Sequence, residues 1–157
     1  MLIIKNGTIY DAVNREPRLG TIVVKDGKIE KILYVQYKDD AAFKEALGNV
    51  GIDAADMEAV EIIDAEGLNV YPGLVDAHSH LGLDGYAVGF ASQDYNEMND
   101  IITPQLRAID GFYPQDETVR LAREGGVTCV GTGPGSSNVL GGTFMAVKTY
   151  GHRVDDM

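Results

Sequence analysis

His78 and His80 are the residues of this chain whose type and spacing point most directly to chemistry. They end the run Pro72-Gly73-Leu74-Val75-Asp76-Ala77-His78-Ser79-His80, in which a Pro-Gly turn leads into a short apolar stretch. Side chains alternate between the two faces of a β-strand, so Asp76, His78 and His80 are predicted to share one face. Two imidazoles at this spacing can reach one small cation at about 2.0–2.1 Å. The alternative is a pair of polar residues on a solvated edge strand.

The first 72 residues have the pattern of a β-rich segment. Asn6-Gly7 and Asp26-Gly27 each stand between short apolar runs, which is typical of hairpin turns whose two central residues need positive φ. Val60–Asp64 is predicted to be a further strand. From Asp39 to Leu47 apolar residues recur at helical spacing, with aspartate at the start and glycine after the end, which predicts a helix. The acidic stretch near residues 36–58 is thus predicted to be a helical insertion in a small sheet.

The later pattern is one of strands that alternate with helices. Thr103-Pro104 predicts a helix start, with threonine as the cap and proline in the first helical position. A second helix is predicted over Gln115–Glu124, ending at a Gly-Gly pair, and Val127–Val130 is predicted to be a buried strand. Thr143–Lys148 is predicted to be another strand. Strands joined through helices favour a parallel βαβ arrangement for residues 73–157.

Composition limits the classes of partner and the compartment. The 157 residues carry a formal net charge of −11. Nucleic acid and anionic membranes are bound through clustered Lys and Arg, so neither is expected as a partner. No run approaches the roughly 18 apolar residues of a membrane span, and the N-terminus lacks the pattern of a signal peptide. The single Cys129 cannot form an internal disulfide, so a reducing, cytoplasmic location is expected. Cys129 itself is interpreted as a small core residue.

Two polar segments are further candidates for ligand contacts. The run Gly131–Gly142 follows a predicted strand, which is where open α/β sheets and barrels place substrate contacts. It fits neither of the nucleotide-binding glycine patterns, and the alternative is a tightly turned structural loop. The second segment is a cluster of Asn and acidic residues at positions 94–100. The alternative interpretation is that this cluster is a solvated loop and capping region. His152, near the end of the chain, is interpreted as a surface residue.

In their order along the chain, these segments resemble one enzyme family. The run from Pro72 to His80 follows a hairpin-rich segment that ends Asp64-Ala65-Glu66-Gly67. This combination is similar to the start of a metal-dependent amidohydrolase. Further blocks resemble the imidazolonepropionase-like branch of that superfamily: Asn96-Glu97, Thr103–Asp110, Ala122–Thr128 and Pro134–Gly142. The resemblance covers nearly the whole chain apart from the acidic insertion.

The resemblance implies a fold and a metal site. The fold would be α/β, with residues 73–157 forming the first two or three βα units of a (β/α)8 TIM barrel and residues 1–72 an amino-terminal β-sandwich segment. His78 and His80 would bind one or two divalent metals at the barrel mouth, with Asp76 hydrogen-bonding around the site. Zinc is the metal that we expect, although two imidazoles suit iron, nickel or cobalt as well. Metal-bound water loses a proton near neutral pH, and the resulting hydroxide would hydrolyse a non-peptide C–N bond, such as that of a cyclic amide.

The resemblance also implies a set of pocket residues. The substrate would be a small molecule, and its specific identity is not predicted by these residues. The polar side chains expected to line its pocket are Asn96, Glu97, Ser136, Ser137 and Asn138.

Two features depart from the family pattern. Met157 ends the chain soon after the second predicted barrel strand, although a complete barrel takes about 250 residues. A catalytic zinc takes three protein ligands, and two are identified here. We therefore expect this chain to be the amino-terminal portion of an enzyme and to be inactive alone. Its open sheet edges are expected to pair with a second chain that completes the barrel or with further copies of this chain in a homo-oligomer. The alternatives are a non-catalytic oligomeric interaction protein with a vestigial metal site and a small metal- or ligand-binding module.

Overall fold

The computed structural model describes residues 1–37, 39–52, 60–86 and 89–157, and it divides the chain into two compact units, Met1–Pro72 and Gly73–Met157. The predicted acidic insertion near residues 36–58 lies partly outside the described residues. Among the described residues, no helix has the length and apolar character needed to cross a membrane.

The first unit is built on one mixed sheet. Its elements are β1 Leu2–Ile9, β2 Arg18–Lys25, β3 Lys28–Leu33, α1 Asp40–Asn49, β4 Glu61–Asp64 and β5 Asn69–Val70. Strand β1 is central, with β2 antiparallel on one side and β4 and β5 parallel on the other, while β3 pairs antiparallel with β2. The described residues of this unit form this single sheet, and the two-layer sandwich stays a prediction.

One of the two predicted hairpins in this unit is confirmed and the other is wrong. Asp26 and Gly27 have φ values of 51° and 73° and join β2 to β3, as both central residues of a tight turn require. Asn6-Gly7 instead lies inside β1, where the pairing with β2 shifts register between Ile4 and Gly7. The positive φ of Asn6, 61°, serves this bulge rather than a turn, because β2 continues to pair with β1 beyond it.

The predicted helix over Asp39–Leu47 is confirmed as α1. The Asp39 carboxylate accepts a hydrogen bond from the main-chain N–H of Ala42 at 2.8 Å, which caps the helix start. Phe43 and Leu47 are buried, and they form the core of this unit with Ile3 and other residues of the sheet. The apolar helical spacing in the sequence therefore identified the face that packs.

The second unit has a three-stranded sheet. Its elements are β6 Leu74–Ser79, a 3-10 turn Gly89–Ser92, α2 Ala108–Gly111, α3 Glu117–Glu124, β7 Val127–Thr132, β8 Met145–Lys148 and a 3-10 turn Val154–Asp156. The strands lie in the order β6-β7-β8, and β8 is antiparallel to β7. Strands β6 and β7 are parallel, with the longer helix α3 between them in the chain, so the predicted βαβ arrangement is confirmed. The core side chains come from these elements and from the loops between them: Leu83, Ala108, Phe112, Val119, Val130 and Val147.

The helix predicted to start at Thr103-Pro104 is wrong. Thr103 does not act as a cap; its main-chain N–H and its hydroxyl both donate to the carbonyl oxygen of Leu140, at 2.7 and 3.1 Å. Arg107 forms a β-bridge with Thr143, and only the four residues of α2 are helical. Pairing with the segment after β7 satisfies these backbone groups and overrides the local helix signal.

Candidate metal-binding site

His78 and His80 lie together at the carboxyl end of β6. Their ring centroids are 5.5 Å apart and the rings meet edge to face, with an interplanar angle of 79°. Imidazole nitrogens bind zinc at about 2.0–2.1 Å, which places the centroids of two rings on one tetrahedral ion roughly 5 Å apart. The spacing of the two rings therefore fits a shared cation.

The tautomer of His80 is determined by its neighbour in the loop after β7. Nδ1 of His80 lies 2.7 Å from the carbonyl oxygen of Gly133. A carbonyl oxygen only accepts hydrogen bonds, so Nδ1 carries the proton and Nε2 has the free lone pair in the neutral ring. Metal-binding histidines commonly have this arrangement, in which the second nitrogen donates to a carbonyl. The chemistry of His80 therefore fits a ligand that binds through Nε2.

Two aromatic residues that the sequence analysis missed surround the histidines. Tyr95 stacks on His80 with ring centroids 5.1 Å apart and an angle of 22°. Phe144 contacts both rings, at 5.1 Å from His78 and 6.5 Å from His80. The glycine at position 133 was the one sequence signal for this packing, because a Cβ on Gly133 would overlap the Phe144 ring. A glycine at such a position indicates that a bulky group packs closely against the backbone.

Asp76 lies next to this pair but bonds to its backbone. Its Oδ1 accepts a hydrogen bond from the main-chain N–H of His78 at 3.1 Å. The pairing of β6 with β7 also shifts register between Asp76 and Ser79. Asp76 thus stabilises the strand end that carries His78, and its predicted role around a metal stays a prediction.

The five residues predicted to line a substrate pocket fall into two groups. Asn96 and Glu97 line a cavity of about 270 Å³ together with Tyr95. Asn138 instead joins two loops, since its Nδ2 donates to the carbonyl oxygens of Glu97 and Asp100 at 2.8 and 3.0 Å.

The two predicted serines lie on the exposed surface of the glycine-rich loop. The main-chain N–H of Ser137 donates to Oδ1 of Asn96 at 3.3 Å, which makes a further link between the two loops. The structure thus gives Ser137 and Asn138 a loop-joining role, and contact of Ser136, Ser137 and Asn138 with a substrate stays a prediction.

An ion pair lies in the wall of the same cavity. The guanidinium of Arg107 donates two hydrogen bonds to the carboxylate of Asp110, at 2.9 and 2.7 Å. These hydrogen bonds lower the pKa of Asp110 below its ordinary value and raise that of Arg107. Asp94 and Glu97 line the same cavity, so carboxylates outnumber cations there.

Among the described residues, the pair His78 and His80 is not part of a larger metal-binding cluster. Within ranges 1–37, 39–52, 60–86 and 89–157, no group of three or more His, Cys, Asp or Glu side chains could hold a metal ion. His152 lines a different cavity, with Arg120 and Arg123. Of the residues described, His78 and His80 are therefore the candidates for metal ligands.

Comparison with known proteins gives relatives that share sequence and fold. No protein-family model matches the chain. An amidohydrolase of Hapsidospora irregularis, tasK, is 41% identical over 87 residues, which is 55% of this chain and 9% of that protein. Allantoinase from Escherichia coli O1:K1 is 40% identical over 84 residues, which is 54% of this chain and 14% of that protein.

A solved structure matches nearly the whole chain. The crystal structure of an amidohydrolase from Thermotoga maritima MSB8 superposes with a TM-score of 0.80 and 35% identity, over 99% of this chain and 36% of that one. The chain thus spans about a third of that relative and a smaller part of the two others. The finer assignment to the imidazolonepropionase-like branch stays a prediction. In sequence and fold the chain is therefore similar to members of the amidohydrolase superfamily.

Proposed function

We propose that this chain carries the first part of the active site of a metal-dependent amidohydrolase that hydrolyses a cyclic amide or a similar non-peptide C–N bond. The observation that carries the proposal is the pair of imidazoles at the end of β6, 5.5 Å apart, with Nε2 of His80 left free by the bond from Nδ1 to Gly133. The name of the allantoinase relative supports a cyclic substrate. In this proposal residues 73–157 form the first βα units of a TIM barrel.

His78 and His80 would hold a divalent metal, with zinc expected first and iron, nickel or cobalt as the other candidates. When bound, such an ion supplies Lewis-acid chemistry, lowering the pKa of water and polarising a carbonyl group. The chain's own residues orient the ligands: the Gly133 carbonyl fixes the His80 tautomer, and Asp76 holds the backbone of His78. The neighbouring cavity with Asn96 and Glu97 would accept the small-molecule substrate.

Zinc titration followed by calorimetry tests this proposal. We expect the metal-free chain to bind zinc, and His78→Ala and His80→Ala each to lower the affinity at least about tenfold. His152→Ala is the matched control, since it removes an imidazole that lines another cavity. Equal zinc affinity for the wild-type chain and both site variants would contradict the proposal.

Exposed apolar residues on β6 support a second proposal about partners. Leu74 and Val75 are 59% and 70% exposed, although they belong to a strand of a parallel pair. Within the described part of the chain, β6 has a strand neighbour on one side, β7. An apolar open edge of this kind pairs readily with another strand. We propose that a second chain completing the barrel, or a further copy of this chain, covers it.

These exposed residues also define the alternative function, a non-catalytic oligomeric protein whose metal site is vestigial. Zinc binding separates the two functions. A chain that associates through β6 and shows no zinc binding that depends on His78 or His80 would favour the alternative.

A further inference from the structure

We propose that Tyr95 is a positioning residue for His80 and that the segment Gly133-Pro134-Gly135 holds both residues at once. The metal-ligand role of His80 rests on the proposed function, whereas the positioning itself is a property of the metal-free protein. Tyr95 is not among the metal ligands or pocket residues inferred from the sequence, and Gly133-Pro134-Gly135 lie in the run Gly131–Gly142, for which the sequence suggested only ligand contact.

The first step is the orientation of the imidazole. The hydrogen bond from Nδ1 to the Gly133 carbonyl fixes one point of the ring, but rotation about that bond still changes where Nε2 lies. Stacking on Tyr95, at 5.1 Å and 22°, fixes the tilt of the ring plane. Stacking of aromatic rings is favourable beyond the area that it buries. Together the two contacts define the direction of the Nε2 lone pair.

The second step is what holds Tyr95. Its carbonyl oxygen accepts a hydrogen bond from the main-chain N–H of Gly135 at 2.6 Å. Its side chain also packs against the core of the second unit, whose buried members include Leu83 and Phe112. Tyr95 is thus fixed through both its backbone and its ring, and it can act as a support for His80.

The third step explains the glycine spacing. Gly133 provides the carbonyl that binds His80, and a Cβ there would overlap Phe144. Gly135 provides the N–H that binds Tyr95, and a Cβ there would overlap the Tyr95 ring and the amide of Asn96. Side chains at these two positions would separate the loop from the residues it holds. The two glycines of Gly133-Pro134-Gly135 therefore allow the loop to pack closely against His80 and Tyr95.

Two substitutions of Tyr95 separate the ring from the hydroxyl. Tyr95→Phe keeps the stack, and we expect it to retain wild-type zinc affinity and wild-type NMR shifts of the His80 ring protons. Tyr95→Leu keeps apolar volume without the ring. We expect it to remove the contribution of Tyr95 to the ring-current shift of His80 and to lower zinc affinity roughly 10–100-fold, as loss of supporting groups around metal ligands does. Tyr113→Leu is the control, because Tyr113 is an exposed tyrosine of the same unit.

A second variant keeps the test decisive if Tyr95→Leu fails to fold. Gly135→Ala leaves Tyr95 in place but crowds it, and we expect a change in the His80 ring shifts in the same direction. Unchanged His80 shifts in a folded Tyr95→Leu or Gly135→Ala variant would overturn the proposal, as would equal losses in Tyr95→Phe and Tyr95→Leu. Equal zinc affinity for the wild-type chain and His80→Ala would instead contradict the proposed metal site. The His80 ring shifts of the metal-free protein would still test the role of Tyr95.

Discussion

The carbonyl oxygen of Gly133 lies 2.7 Å from Nδ1 of His80, so the loop after β7 determines which nitrogen of this imidazole carries the proton. The two residues are 53 positions apart in the chain, and the parallel pairing of β6 with β7 brings their strand ends together. In parallel sheets the carboxyl ends of neighbouring strands meet at one edge, where ligand sites form. The candidate site is thus a direct consequence of the βαβ topology.

Substitution of Gly133 tests how tightly this loop is packed. Gly133→Ala places a methyl group where the Phe144 ring lies, and overpacking of this kind costs about 1–3 kcal/mol in the free energy of unfolding. We expect a lower urea midpoint together with weaker zinc binding. Gly48→Ala is the matched control, because open space surrounds this helical position and alanine there stabilises by roughly 0.5–1 kcal/mol. Equal stability of Gly133→Ala and the wild-type chain would contradict the described packing.

Asn138 is expected to matter for stability through its two donated hydrogen bonds. Asn138→Ala removes both bonds to the carbonyls of Glu97 and Asp100, at a cost of about 1–3 kcal/mol in urea unfolding. Asn138→Asp is expected to cost more, because it places a carboxylate against two carbonyl oxygens. The exposed neighbour Ser136 provides the control, and Ser136→Ala is expected to change stability by less than about 0.5 kcal/mol. If Asn138→Asp is as stable as the wild-type chain, Asn138 does not join these loops.

Asp11 is expected to make the stability of the folded chain depend on pH. Its pKa is held well below the ordinary value of 3.8 by the main-chain N–H of Asn14, and further by the hydroxyl of Tyr34, the amide of Asn14 and the main-chain N–H of Val13. A depressed carboxyl pKa stabilises the folded state above the unfolded pKa, and this contribution is lost as pH falls toward the folded pKa. Wild-type Asp11 is therefore expected to be fully stabilising at neutral pH and progressively less so below about pH 4.

Comparison with Asp11→Asn measures this contribution. The difference in urea midpoint between the wild-type chain and Asp11→Asn is expected to be largest at pH 7 and to shrink at pH 3. Glu16→Gln removes a charge from an exposed residue of the same loop and serves as the control. A midpoint difference that is constant from pH 7 to pH 3 would show that the hydrogen bonds to Asp11 do not depend on its charge.

Local sequence signals predicted the fold where local interactions decide it. Asp26-Gly27 forms its turn because the turn itself needs two positive φ values, and Asp39 caps α1 through a bond to a residue three positions later. Asn6-Gly7 and Thr103 carry equally strong local signals, but distant partners decide their structure: β2 pairs across the first, and the Leu140 carbonyl accepts from the second. Such partners are not visible in a short window of sequence.

The candidate site shows the same difference between residues placed by local structure and residues placed by distant contacts. His78 and His80 were predicted because alternation along one strand is enough to bring them together. Tyr95 and Phe144 were missed because each reaches the histidines from a separate segment, 15 and 64 residues beyond His80. Their contacts depend on the path of the loops, for which the sequence offered only the close spacing of glycines at 133 and 135.

Association through the open edge of β6 gives the last prediction. Leu74 and Val75 expose apolar surface on a strand whose described neighbour lies on one side, so we expect a mass above the 16.9 kDa of a single chain in light scattering. Val75→Lys places a charge on that strand, and charged residues on strand edges oppose pairing, so the mass is expected to fall toward 16.9 kDa. Val13→Lys makes the same change at a residue that is 88% exposed in the first unit and is expected to leave the mass unchanged. Equal masses for Val75→Lys and the wild-type chain would exclude β6 as the associating surface.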